Sequence, residues 1–239
     1  MNIYFLVEGK RTEAKVYPEW LSHLLPDLVR VQAPGEVNQK NYFLISGGGF
    51  PSLLDNHLRN SIEDVNSSGN YNYLVVCLDA DEQTIPERVQ EVNNFILREE
   101  LKLKNCQLEI IVQNRCIETW FLGNKRAYPR HPVDREFIEY SGFYDVSLED
   151  PELMGIFRDF NNHAQFHHQY LKKMLLEKNI RYTKVNPRGV VEPNYLNQLI
   201  SRTEQTRHLG SLKTFLDFCK LIDEKLKQIK YPPNTIAKT

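Results

Sequence analysis

Apolar residues in the first half of this chain come in short blocks separated by polar stretches. Ile3 to Val7 is an uninterrupted apolar run, the pattern of a strand buried on both faces. Thr12 to Leu25 predicts a helix with Trp20, Leu21, Leu24 and Leu25 along one face, and Pro18 should kink it or start it afresh. Tyr42 to Ser46 predicts a second strand running into Gly47-Gly48-Gly49, and Pro51 to Val65 returns to helical spacing through Leu53, Leu54, Leu58 and Ile62. Asn66 to Asn70 reads as a turn. Tyr73 to Leu78 (YLVVCL) is the strongest strand pattern in the chain, a continuous apolar run with β-branched Val75 and Val76 at its centre. Thr84 can cap a following helix, with Pro86 in its first turn and Val89, Val92, Phe95, Ile96 and Leu101 as its apolar face. Leu108 to Gln113 predicts a fourth strand. Strands alternating with helices in this order imply an α/β fold with a doubly wound, mainly parallel four-stranded sheet.

The second half has helical periods only. Asp150 and Pro151 read as a helix start, Phe166 to Lys178 has helical spacing, Pro193 opens another helix, and Leu212 to Ile229 is a long amphipathic one. Between the halves, a stretch carrying Pro129, Pro132, Lys125, Arg126, Arg130, His131 and Arg135 reads as an irregular or lid-like connection. The expected organisation is an α/β core over 1–122, a basic irregular connection over 123–149, and a helical region over 150–239 packed on the core.

Composition narrows the class without deciding the function. At 239 residues, 41% hydrophobic and 26% charged, the chain resembles ordinary globular proteins and can build one sizeable core or two small ones. No stretch reaches the roughly 18 consecutive apolar residues of a membrane span, and no secretory leader pattern opens the chain, which implies a cytoplasmic protein without a membrane partner. Cys77, Cys106, Cys116 and Cys219 form no CxxC pair, so reduced packing thiols are expected. A net charge of -1 excludes a globally basic nucleic-acid binder, so any polyanion must be held by local patches or through metal ions.

The chemistry begins with the acids at strand ends. In open α/β sheets the ligand crevice lies beyond the carboxyl ends of the strands, where the winding direction reverses. Glu8 follows the first predicted strand, and Asp79 and Asp81 follow the third. Three carboxylates brought together would repel one another and take raised pKa values unless a divalent cation neutralised them, and such oxygen ligands select magnesium or manganese over zinc. An Asp-x-Asp pair also marks receiver domains and phosphatases, but those place their acids after the first strand. Gly9-Lys10 lacks the earlier glycine and the GK[ST] of a P-loop. Gly47 to Gly49 could cradle a phosphate or simply form a strand-to-helix turn. His163, His167 and His168 include an i, i+4 pair, but without an HExxH glutamate they read as surface or core-edge residues.

Glu8-Gly9 after the first strand and Asp79-Ala80-Asp81 after the third resemble the signature of the Toprim domain found in topoisomerases, primases and nucleases, over roughly residues 1 to 122. Val7 to Glu13 is similar to the opening of the small OLD-type Toprim nucleases of mobile elements and phage defence, and Glu118-Thr119-Trp120 to their Glu-x-Trp element. The acid that those enzymes often carry four positions after the first glutamate is Thr12 here, with Glu13 following. The resemblance implies a metal site of Glu8, Asp79 and Asp81, with Glu118 as a further ligand or supporting group. It also implies a lysine near the metals, for which Lys184, in a basic segment like that of related proteins, is the choice and Lys213 the substitute. Lys10, Arg11, Lys184, Arg188 and Lys213 are the expected nucleic-acid contacts.

The function so implied is Mg²⁺- or Mn²⁺-dependent hydrolysis of DNA or RNA, with Glu8, Asp79, Asp81, Glu118 and Lys184 as catalytic residues, in phage defence or mobile-element biology. The competing reading is a non-catalytic, Toprim-like nucleic-acid-binding or regulatory subunit of an ATPase complex. The OLD-type resemblance implies an ATPase partner, since the chain carries no Walker motif of its own, and an oligomer is possible.

Overall fold

The computed structural model describes residues 1–230. Five strands form one all-parallel sheet: β1 (Asn2–Val7), β2 (Val29–Arg30), β3 (Asn41–Ser46), β4 (Tyr73–Asp79) and β5 (Gln107–Gln113). Their spatial order is β2-β3-β1-β4-β5. The chain therefore winds outward from β1 to one edge, returns across it, and winds to the other edge through β4 and β5. The sheet has five strands rather than four. The extra edge strand is two exposed residues long, too short to carry a hydrophobic period.

Both faces of the sheet are covered, which is why β1 and β4 are apolar at nearly every position. Alternate residues go to opposite sides. Tyr4, Leu6, Leu74 and Val76 pack with α2 (Arg59–Ser68), the π-helical turn Leu53–Leu58 before it, and α3 (Ile85–Arg98). Ile3, Phe5, Val7, Val75 and Cys77 pack with α1 (Glu13–Leu24) and with the helices of the second half. These are α4 (Ile117–Phe121), α5 (Arg135–Phe143), α6 (His163–Leu176), α7 (Pro193–Gln205) and α8 (Gly210–Lys230).

The two halves share a single core on that face. Trp20 of α1 stacks on Trp120 of α4 at 6.4 Å, and Trp120 stacks on Phe215 of α8 at 6.0 Å. Trp20 Nε1 donates to the carbonyl of Val190, tying α1 to the loop before α7. The stretch 123–149 is not wholly irregular. Asp134 caps α5 by accepting from the Phe137 amide at 2.9 Å, and Phe137 and Tyr140 are buried against Tyr170 and Phe166 of α6. Asp150 and Pro151 begin only a 3₁₀ turn ending at Leu153. Among the described residues no helix is long and apolar enough to cross a membrane.

Candidate functional site

Register places the acids. Val7 pairs with Ser46 on one side and Cys77 on the other, so Glu8, Gly47 and the end of β4 emerge level at the carboxyl edge. Winding reverses across β1, which makes the gap between β1 and β4 the switch point where ligands of such sheets bind. The Glu8 amide donates to the carbonyl of Cys77, and the Glu8 carboxylate accepts from the Asp79 amide at 3.0 Å. The glycine loop folds back on Glu8, with the Gly49 amide donating to its carbonyl at 2.9 Å.

A third acid arrives from α1. The Glu13 carboxylate lies against the Cα of Gly9: a methyl group there would stand 2.0 Å from Oε2, so only glycine admits it. The Gly9 of the opening motif and Glu13 are thus one device. Glu118, 1% exposed at the start of α4, supplies the fourth carboxylate and accepts from the Tyr182 hydroxyl at 3.0 Å.

Burial and mutual repulsion govern this group. Asp79 is driven well above the usual carboxylate range by burial and then by Glu8, Glu13, Glu118 and Asp81. Glu13 is pushed up to about 7 by burial, with Glu118 and Glu8 adding to it. Glu8 is raised by burial, against the pull of the Asp79 amide. Asp79 Oδ1 is sealed from solvent with no hydrogen-bond partner. An orphaned acceptor among like charges is what a hard cation would satisfy, and an all-oxygen donor set suits Mg²⁺ or Mn²⁺. Yet among the described residues no three His, Cys, Asp or Glu side chains are arranged to hold a metal ion.

Asp81 explains part of that. It sits in the left-handed region at φ +52°, which aspartate tolerates, and its carboxylate pairs with Arg88 at 3.2 Å. Burial raises its pKa while Arg88 pulls it down. Arg88 is almost fully buried, caps the ring of Phe50 at 4.1 Å and also pairs with Glu91.

Lys184 is brought to the site, its Nζ 3.6 Å from Glu118. Burial lowers its pKa, but Glu118 and then Cys116, Asp79 and Glu13 outweigh this, so the net shift is upward and the ammonium is held charged. Lys10 packs on Gly48, where a Cβ would lie 3.1 Å from its Cε. Arg11 is exposed. Arg188 lines a separate open cleft of about 350 Å³ with Lys15 and Arg30. Lys213 stands on α8 and is ion-paired with Asp217 at 2.6 Å.

Arg88 and His168 escaped the sequence reading as site residues. Arg88 could have been found, because it continues the Val92–Phe95 stripe at helical spacing and so places a cation on a buried face. His168, with a sealed and unpartnered Nε2, feels both Glu118 and Lys184, although burial dominates its lowered pKa. His167 is buried, its Nδ1 at 2.8 Å from the Thr119 hydroxyl and its Nε2 at 3.2 Å from the Met154 carbonyl, whereas His163 pairs with Glu82. No protein-family model, curated protein or solved structure matches this chain.

Proposed function

We propose that the protein is a divalent-metal-dependent phosphodiesterase of the Toprim kind, hydrolysing DNA or RNA in phage defence or mobile-element biology. The observation that supports this best is the sealed, partnerless Asp79 Oδ1 among Glu8, Glu13 and Glu118 at the switch point of a parallel sheet. Glu8 and Asp79 would hold Mg²⁺ or Mn²⁺ from the strand ends, with Glu13 beside them and Asp81 at the edge. The bound ion would polarise the scissile phosphate and lower the pKa of a water.

The chain's own groups then have distinct tasks. Lys184, held against Glu118, keeps a fixed positive charge beside the carboxylates, suited to an oxyanion that gains charge as the phosphodiester bond breaks. Tyr182 fixes Glu118, and so fixes Lys184 at one remove. Lys10, on the glycine loop, and exposed Arg11 can meet backbone phosphates.

The pairing of the Asp81 carboxylate with Arg88, away from the other acids, favours a second reading, a nucleic-acid-binding subunit acting with an ATPase partner. Incubating plasmid, linear and single-stranded DNA, total RNA and transfer RNA with Mg²⁺ or Mn²⁺ decides between them. Cutting by wild type that Asp79→Ala abolishes supports the enzyme. No cutting, with or without a natural partner, or equal cutting by the variant, leaves the binding subunit.

A further inference from the structure

Arg88 and Gln83 belong to two places at once. On one side they hold the loop that carries Asp81: Arg88 pairs with its carboxylate, and the Gln83 amide donates to the Ala80 carbonyl at 3.0 Å. On the other side lies an open cleft of about 540 Å³ between the π-helical turn and α3, whose lining includes Phe50, Gln83, Gln90, Asn94 and Phe95. Arg88 covers the Phe50 ring that borders this cleft.

The cleft's character is set by what its polar groups have left to offer. Glu87 is occupied by the Thr84 cap and Glu91 by Arg88. Gln90 Nε2 donates to Asn94 Oδ1 at 2.7 Å, which leaves the Gln90 carbonyl oxygen as an acceptor beside the free amide hydrogens of Asn94. Gln83 Oε1 is sealed from solvent and accepts from nothing. Two aromatic rings, the Gln90 carbonyl oxygen beside the Asn94 amide, and the carboxylates of Asp55, Glu87 and Glu91, with Arg98 laid on the Phe95 ring and paired with Glu99, suit a flat, neutral heterocycle that donates from an exocyclic amine.

We propose that this cleft holds one unstacked nucleobase bearing an exocyclic amino group, from the polynucleotide whose backbone passes the Glu8–Asp79 site. The inference rests on the nucleic-acid reading above and adds a base preference to it. The Asp81 loop forms the shared wall, so a base seated here places its own sugar-phosphate next to the carboxylates. Adenine and cytosine offer two exocyclic amine hydrogens to the acceptors, whereas thymine offers only its imide N–H, flanked by carbonyl oxygens.

Fluorescence anisotropy of labelled d(A)₁₂ and d(T)₁₂ with the full chain in Ca²⁺ tests this, comparing wild type with the double variant Gln90→Ala and Asn94→Ala. Both residues are exposed on α3, so the fold is retained. The expected result is about tenfold tighter binding of d(A)₁₂ by wild type, with the variant losing that preference and keeping its d(T)₁₂ affinity. Equal binding of both oligomers, or a preference that survives in the variant, overturns the base cleft and leaves the nucleic-acid reading standing. Binding of neither oligomer defeats both. Adenosine monophosphate serves as a competitor: weak displacement supports a polymer substrate, and binding of the monophosphate without d(A)₁₂ binding makes a free nucleotide the occupant and overturns the proposal.

Discussion

At the scale of single residues, the site is a set of acids held in an unfavourable state. Replacing Asp79 by Asn should therefore raise the melting temperature in the absence of metal, with a gain on the order of 1–3 kcal/mol at pH 8, because repulsion among buried carboxylates is relieved. Millimolar Mg²⁺ should stabilise wild type by mass action and leave the Asp79→Asn variant unmoved; differential scanning fluorimetry reads both. Gly9 gives a sharper geometric test. Gly9→Ala must expel the Glu13 carboxylate, so its effect on the Mg²⁺ response should vanish in a Glu13→Ala background, and equal effects in both backgrounds would refute the coupling. The placement of Glu8, Asp79 and Asp81 at strand ends was legible because such ends can be read from apolar runs. The Arg88 partner of Asp81 was not, since its contact depends on how α3 lies against the loop.

At the scale of elements, the apolar runs of β1, β3, β4 and β5 and the Thr84 cap of α3 could be read directly, because each is a local pattern. Helix α1 runs unbroken through Pro18 despite the lost hydrogen bond. Ala14 and Pro18, the two residues that bond would have joined, both line the open Lys15–Arg188 cleft, so the defect falls on a wet side of the helix. The α4–α6 seam was hidden, since it joins residues 48 positions apart through Thr119 and His167. With Nε2 donating to the Met154 carbonyl, the imidazole is neutral and its Nδ1 accepts from Thr119. Burial holds its pKa down at about 3. The unfolded chain thus binds a proton that the folded chain refuses between about pH 3 and 6.5, and stability should climb with pH across that window and level off above it, by at most about 1.4 kcal/mol per unit. Urea unfolding of wild type and His167→Gln should show the variant with a shallower slope below pH 6.5. Glu13 acts oppositely: stabilised in its protonated form, it loses that contribution as pH rises through about 7. Glu13→Gln should accordingly gain stability over wild type at pH 8 more than at pH 5.

At the scale of the whole molecule, the helical half is part of the core rather than an appendage. Phe5, Val7, Val75 and Cys77 share one buried cluster with Phe166, Leu199, Phe215 and Ile222. A fragment ending at Leu122 should therefore expose one whole face of the sheet and aggregate, as sedimentation would show; a soluble monomeric fragment that still responds to Mg²⁺ would refute this. The periodicity of α7 and α8 announced that these helices bury an apolar stripe, but not against what. That depends on aromatic contacts such as Tyr17 with Phe215, 198 positions away in sequence, which no local pattern encodes.

The protein has only two tryptophans, and both stand in the Trp20–Trp120–Phe215 stack. Every indole in the molecule is therefore an optical reporter on the seam between its halves. The stacked rings are 15° from parallel and fully enclosed, so native emission should be blue-shifted and the near-ultraviolet circular dichroism strong. If α8 leaves the sheet before the strands separate, that signal will collapse while far-ultraviolet ellipticity persists, and the seam will have timed its own opening.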